Sequence, residues 1–473
     1  MPPSSSRVAV VRHLVKQRWL AVAAAVMLTG LGAAITAVLF KNGVHAVVHW
    51  RLELARELTP MLGPSTQWLL FPSISALGGL LVGLLLKFGE PAASGSGITQ
   101  VMHWLAGRPV PMGIRVAIIK LIGGIIAIGS GFPLGPEGPA VQMGASVAWR
   151  VAESLKAPRS FMRLIVAAGG GAGISAVFNA PIGGFLYSIE ELLRNARPVV
   201  LLLVLFTTFL ADSFGEVFNW IGFGKGSGID PTTGITVSKA FDLPDFVFRP
   251  EDVIYLVILG LIISCLSELF TRYVIAMQGL SMRLLGRRPV LRMVLCGALL
   301  GLIFAALPLD FGDAAGLKST LVLDIRDGSD HVGKYIAIFV VLFFTTGLAA
   351  ASGAPGGLFA PMLMLGGAIG LAASGIVAGL TGYAPASYVF AGMASFVAGS
   401  SHTPIAALFI TFALTKQLVL LRPMLVATLS CFLLSQAFSH KSIYDRQIEL
   451  EKQGGAMWAV GRRLTSRSKE ARD

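Results

Sequence analysis

Apolar and polar positions in this chain fall into long blocks. Predominantly apolar runs cover residues 19–40, 68–86, 199–210, 253–269, 291–307, 335–351 and 418–438. A helix standing upright in a bilayer needs about 20 apolar residues, so these runs predict membrane-crossing helices. Between them lie apolar stretches chopped by Gly and Pro, at 114–149, 164–193, 357–380 and 387–414. Non-helical backbone at membrane depth survives only where protein or a water-filled cavity covers it. Interrupted hydrophobic segments therefore point to a transport site. The longest polar block, 223–252, predicts a linker, and a shorter one spans 310–333. The expected organisation is an N-terminal segment (1–18), a first membrane half (19–222), the linker, a second membrane half (253–446) and a polar tail (447–473). The fold class is all-α and multi-pass.

The two halves share a repeat. PAVQMGASVA from Pro139 matches PMLMLGGAIG from Pro361, setting Gly144 opposite Gly366. NAPIGGFLYSI matches HTPIAALFITF at almost the same offset, setting Pro181 opposite Pro404 and Asn179 opposite His402. Transporter repeats of this kind are commonly inverted about an axis in the membrane plane, with substrate at their interface.

Composition excludes a soluble protein. Of 473 residues 54% are hydrophobic, only 13% are charged, and the mean hydropathy is +0.74, against about 25% charged residues in soluble domains. The 55 glycines suit membrane helices that pack closely through small residues. The net charge of +13 is not a nucleic-acid signal. Arg7, Arg12, Lys16 and Arg18 precede the first run, and Lys452, Arg462, Arg463, Arg467, Lys469 and Arg472 crowd the C-terminal end. That bias predicts both termini in the cytoplasm. No small-residue cleavage site follows the first run, which predicts a retained helix. Cys265, Cys296 and Cys431 have neither disulfide-framework nor zinc spacing and are expected as buried free thiols. No metal or cofactor motif and no phosphate loop is present in the sequence.

Three short motifs share one physical design: Gly95-Ser96-Gly97-Ile98-Thr99, Gly135-Pro136-Glu137-Gly138-Pro139 and Gly357-Leu358-Phe359-Ala360-Pro361. Each places Gly or Pro before an apolar helical run, which predicts a helix N-terminus inside the membrane. Such an end presents unsatisfied N–H groups and about half a positive charge. Glycine allows close approach to the backbone, and proline early in a helix sacrifices no needed hydrogen bond. Three converging ends would bind an anion without Lys or Arg, and moderately enough to release it. Carboxylates accompany them: Glu137, and Glu190-Glu191 near Arg194 and Arg197. Intramembrane acids are costly and usually functional. A carboxylate at a helix N-terminus occupies the N–H groups that would hold a free anion. Protonated, it loses that attraction, so one side chain can couple anion movement to proton movement.

In order and spacing these motifs resemble those of the CLC family of chloride channels and chloride/proton antiporters, over residues 19–446. The family patterns G-S-G-I-P, G-[KR]-E-G-P and G-x-F-x-P stand here as GSGIT, GPEGP and GLFAP, and a family tyrosine matches Tyr444 in HKSIYDRQ. The resemblance implies two inverted halves of tilted, often incomplete helices, and a homodimer in a bacterial inner membrane with one pathway per subunit. It implies a central anion held by the Ser96 and Tyr444 hydroxyls and the Leu358 and Phe359 amides, with Gly95, Gly97, Gly135, Gly138 and Gly357 shaping the loops. It makes Glu137 the external gate and Glu191 the internal proton-transfer acid, and Glu191 favours exchange over a passive, voltage- or pH-gated channel. The expected cargo is chloride and protons. Thr99 and Pro136 depart from the family patterns, and no nucleotide-sensing domains of the cystathionine-synthase type are expected. An intramembrane serine enzyme would need a base near Ser96; only His402 is at hand, and a loop hydrogen bond is the expected role for it.

Overall fold

The computed structural model describes residues 5–63, 65–194, 198–222, 229–230, 235–236, 248–286, 288–307 and 332–453. Of the expected linker it describes a two-residue antiparallel pair, Ile229–Asp230 with Ile235–Thr236, and the turn from residue 248 that leads into the helix at Asp252. The shorter polar segment 310–333 lies outside the described residues except for its last two positions, and Arg197 lies outside them too.

The remainder is helical. In the first half these are α1 (Ser5–Leu62), α2 (Thr66–Phe88), α3 (Ile98–Leu105), α4 (Ile114–Gly129), α5 (Glu137–Ser154), α6 (Arg159–Phe178), α7 (Pro181–Tyr187) and α8 (Pro198–Trp220). In the second they are α9 (Asp252–Leu285), α10 (Pro289–Ala305), α11 (Val332–Ser352), α12 (Phe359–Thr381), α13 (Ser387–Ser401), α14 (Pro404–Thr415), α15 (Leu421–Phe438) and α16 (Ile443–Gln453). Among the described residues, eight helical stretches are long and apolar enough to cross a membrane.

Three expectations need correction. The run at 19–40 predicted a single-span helix, but α1 continues to Leu62 because no Gly–Pro break intervenes before Pro60. The stretch 357–380, expected as interrupted, is one continuous helix once it starts at Phe359. Pro361 sits in its first turn, where no backbone hydrogen bond is lost, and the later glycines serve packing. Cys265 is exposed, while Cys296 and Cys431 are buried. On α9 Cys265 shares a stripe with Ile258, Ile262 and Leu269, all exposed. An apolar outer face is what a membrane helix turns to lipid.

The repeat is visible in three dimensions. A Cβ on Gly144 would strike the Gly169 carbonyl, and one on Gly366 would strike the Gly392 carbonyl. The α5–α6 and α12–α13 crossings thus use the same glycine contact at aligned positions, the close approach that small residues permit in membranes. Asn179 and His402 end α6 and α13 in the left-handed region, at φ 51° and 59°. Asn and His are among the residues that tolerate it. His402 also has Nδ1 3.4 Å from Gln436 Nε2, a loop-anchoring contact.

Candidate functional site

Each of the three motifs starts a helix. Gly97 caps α3 with φ 94°, which requires glycine. Pro136 caps α5 and Leu358 caps α12. The loops before them are stitched together by backbone hydrogen bonds. Gly135 and Gly357 exchange N–H···O=C bonds of 2.8 and 2.7 Å as an isolated antiparallel bridge. Gly95 donates to the Gly353 carbonyl at 2.9 Å and accepts from Gly356 at 3.3 Å. A Cβ on Gly138 would collide with the Ser96 carbonyl, and one on Gly97 would meet the Gly138 carbonyl at 2.7 Å. The three helix starts therefore converge, and glycine is what lets them.

Glu137 lies at this junction with no exposed surface. Its carboxylate reaches across to the other half. Oε1 accepts the Ala360 N–H at 3.2 Å, at the start of α12 in the other half. Cβ atoms on Gly135 or Gly357 would run into that carboxylate, so both glycines make the room it occupies. Phe359, buried, is the first residue of α12. The first N–H groups of a helix have no intrahelical acceptor, and here a carboxylate is one of the groups that takes their place.

Beside the carboxylate stand hydroxyls. Ser96 Oγ and Tyr444 OH are buried and have no hydrogen-bond partner among the described residues. Burying such a group unpaired costs about 1–3 kcal/mol, so an occupant of the centre is what would satisfy them. Tyr444 comes from α16, which runs across the predicted boundary at 446 to Gln453.

Glu191 and Glu190 part company. Beyond Tyr187 the chain makes a π-helical turn, Ser188–Leu193, ended by Arg194 at φ 56°. Neighbouring residues on a helical turn project in different directions, and the two acids do so here. Glu190 reaches α14, accepting N–H groups from Ile405 at 3.2 Å and Ala406 at 2.7 Å. Glu191 turns inward and is 3% exposed, too buried for the solvated helix end that its charged neighbours allow. Its nearest ionic neighbour is Arg194, 3.7 Å away, which in turn grips Asp445 at 2.9 Å, the residue after Tyr444.

Several residues at the site escaped the sequence reading. Lys120, fully buried, donates to the Ala93 carbonyl at 3.0 Å and the Gly95 carbonyl at 2.6 Å. Lys120 thus braces the back of the GSGIT loop through its carbonyls. A lone lysine in the run IRVAIIKLIGGIIAIG was the available signal. Tyr187 is fully buried and its hydroxyl lacks a hydrogen-bond partner among the described residues. Thr99 Oγ1 lies 3.1 Å from Gln100 Oε1 and 3.4 Å from Glu451 Oε1 on α16, and Glu451 Oε2 is 3.2 Å from His103 Nε2. The hydroxyl that stands where proline is usual thus receives the helix that carries Tyr444. A cavity of about 960 Å³ leads to this region, lined among others by Gly95, Gln100, Arg283, Arg288, Arg292 and Gln447. Arginines on its wall attract anions toward the buried centre.

A multi-pass helical membrane protein whose buried centre joins helix starts, hydroxyl donors and carboxylates falls in the class of ion transport proteins. The chain belongs to the voltage gated chloride channel family, whose sequence model matches residues 78–436. It is 32% identical over 455 residues to the H(+)/Cl(-) exchange transporter ClcA of Cronobacter sakazakii, covering 93% of this chain and 92% of that protein. It is 29% identical over 429 residues to ClcA of Vibrio cholerae, covering 89% and 87%. Among solved structures it is similar to a slow cyanobacterial Cl-/H+ antiporter (TM-score 0.79, 28% identity, 92% of this chain and 98% of that one). A CLC-type fluoride/proton antiporter shares the fold at TM-score 0.70 and 19% identity, over 91% and 98% of the two chains. The fold is that of the CLC transporters.

Proposed function

We propose that this protein is a chloride/proton antiporter in which Glu137 is the outer gate and proton carrier and Glu191 the inner proton-transfer acid. The observation that carries the reading is the Glu137 carboxylate on the Ala360 N–H. An anion attached to the chain already occupies the start of α12, within electrostatic reach of Tyr444. Chloride entering from the cavity takes donors from the Ser96 and Tyr444 hydroxyls and from the Leu358 and Phe359 amides. Protonation neutralises Glu137 and weakens its hold on the helix start, so the anion and the carboxylate alternate at one place. Glu191, buried beside a half-exposed arginine, passes protons between solvent and the interior. The relatives named as exchangers support this reading, as does an acid at position 191. We place the protein in a bacterial inner membrane, both termini cytoplasmic, as a homodimer with a pathway in each subunit.

Reversal potentials of reconstituted protein in opposed chloride and proton gradients test it. Exchange predicts a reversal potential displaced from the chloride equilibrium value whenever the proton gradient changes. A potential that follows chloride alone makes the protein a passive channel.

A further inference from the structure

Tyr187 is a buried polar group beside the helix start that the exchange reading leaves unused. It closes α7 just before the π-helical turn that delivers Glu191. Its ring meets Phe359, the first residue of α12, edge-on at 84° with centroids 6.4 Å apart. This contact fixes the phenol against the helix start that Glu137 occupies. The ring is fully buried, and the hydroxyl has no hydrogen-bond partner among the described residues. It lies within electrostatic reach of Tyr444, Glu191 and Glu137. Packing alone would be served by phenylalanine, without the cost of an unsatisfied buried oxygen. A hydroxyl both donates and accepts, which distinguishes it from the N–H groups that surround the anion.

We propose that the Tyr187 hydroxyl is a fixed hydrogen-bonding station for protons crossing between Glu191 and Glu137. The inference rests on the antiport reading and adds a route to it. In each passage the oxygen accepts an incoming proton on a lone pair and releases its own toward the next acceptor. The phenol is neutral before and after, so nothing but the proton is transferred. The aromatic contact with Phe359 keeps the oxygen in place while Glu137 moves.

Tyr187→Phe keeps the ring and removes one oxygen. Proteoliposomes of wild type and variant are compared for chloride-driven proton movement and chloride movement in the same record, with chloride affinity from calorimetric titration. The proposal expects proton movement to fall about tenfold and the proton-to-chloride ratio to drop, with chloride affinity unchanged, which also reports an intact fold. An unchanged ratio overturns it. So does a ratio that holds while chloride affinity falls, since Tyr187 is then an anion ligand. Wild-type protein that moves no protons defeats the antiport reading itself, an outcome visible before the variant is measured.

Discussion

Two carboxylates of the first half reach across to helix starts in the second, with different surroundings. Glu190 accepts two N–H groups at the start of α14 and stays partly open to solvent. Glu137 accepts an N–H at the start of α12 and is completely enclosed. The local chemistry is the same: a negative charge at the positive end of a helix, as in an ordinary cap. The neighbours differ. Around Glu137 two glycines leave room for the carboxylate, and the Ser96 and Tyr444 hydroxyls lack partners among the described residues. Around Glu190 the helix start is closed by Pro404 and by packing of α14 against α7. A carboxylate on a helix start is a cap where the only occupant is itself. On the proposed reading it becomes a gate where a second anion can take its place.

The sharpest way to break the comparison is to neutralise each acid in turn. Glu137→Gln removes the proton carrier and should abolish coupled proton movement, a fall of about 100-fold or more, leaving chloride flux that no longer changes with pH. Paired chloride and pH recording checks this; persistent coupling would move the gate elsewhere. Glu191→Gln should likewise remove proton movement but leave chloride flux dependent on pH, because the Glu137 carboxylate remains. Loss of pH dependence as well would merge the two roles. Gly135→Ala keeps both acids but pushes its methyl into the Glu137 carboxylate. It should raise chloride flux and weaken its pH dependence; an unaltered pH profile would show that the carboxylate has space to spare.

Smaller effects are expected outside the Glu137 junction. Glu451→Gln loosens the contact of α16 with Thr99 and His103. It should weaken chloride binding by about fivefold, on the order of 1 kcal/mol, read by titration. Glu190→Gln should cost about 1 kcal/mol of stability as a weakened cap, seen as a small fall in melting temperature, with coupling ratio intact. A changed ratio would make Glu190 part of the pathway and erase the contrast drawn above.

The helix starts were legible in the sequence because Gly and Pro interrupting an apolar run leave few alternatives. The repeat was legible too, since Gly144 and Gly366 mark one crossing used twice. What stayed hidden depends on contacts remote in sequence. GPEGP shows a carboxylate at a helix start, but not that it serves the helix 223 residues away. Glu190 and Glu191 are adjacent and project to different sides of their turn, and only the packing of α14 shows which of them is taken up by a helix start and which turns inward. Thr99 looked like a defect in its motif until α16 brought Glu451 to its hydroxyl. Lys120 was visible as a charge, but the carbonyls it ties lie 25 and 27 positions earlier.

Chloride titration of wild type and Glu137→Gln over a range of pH tests the claim of a tethered competitor most directly. Competition predicts that wild-type affinity weakens as pH rises and the carboxylate ionises, while the variant binds more tightly and at one affinity throughout. Equal affinities in the two proteins at every pH would mean that the Glu137 carboxylate and chloride never contend for the start of α12.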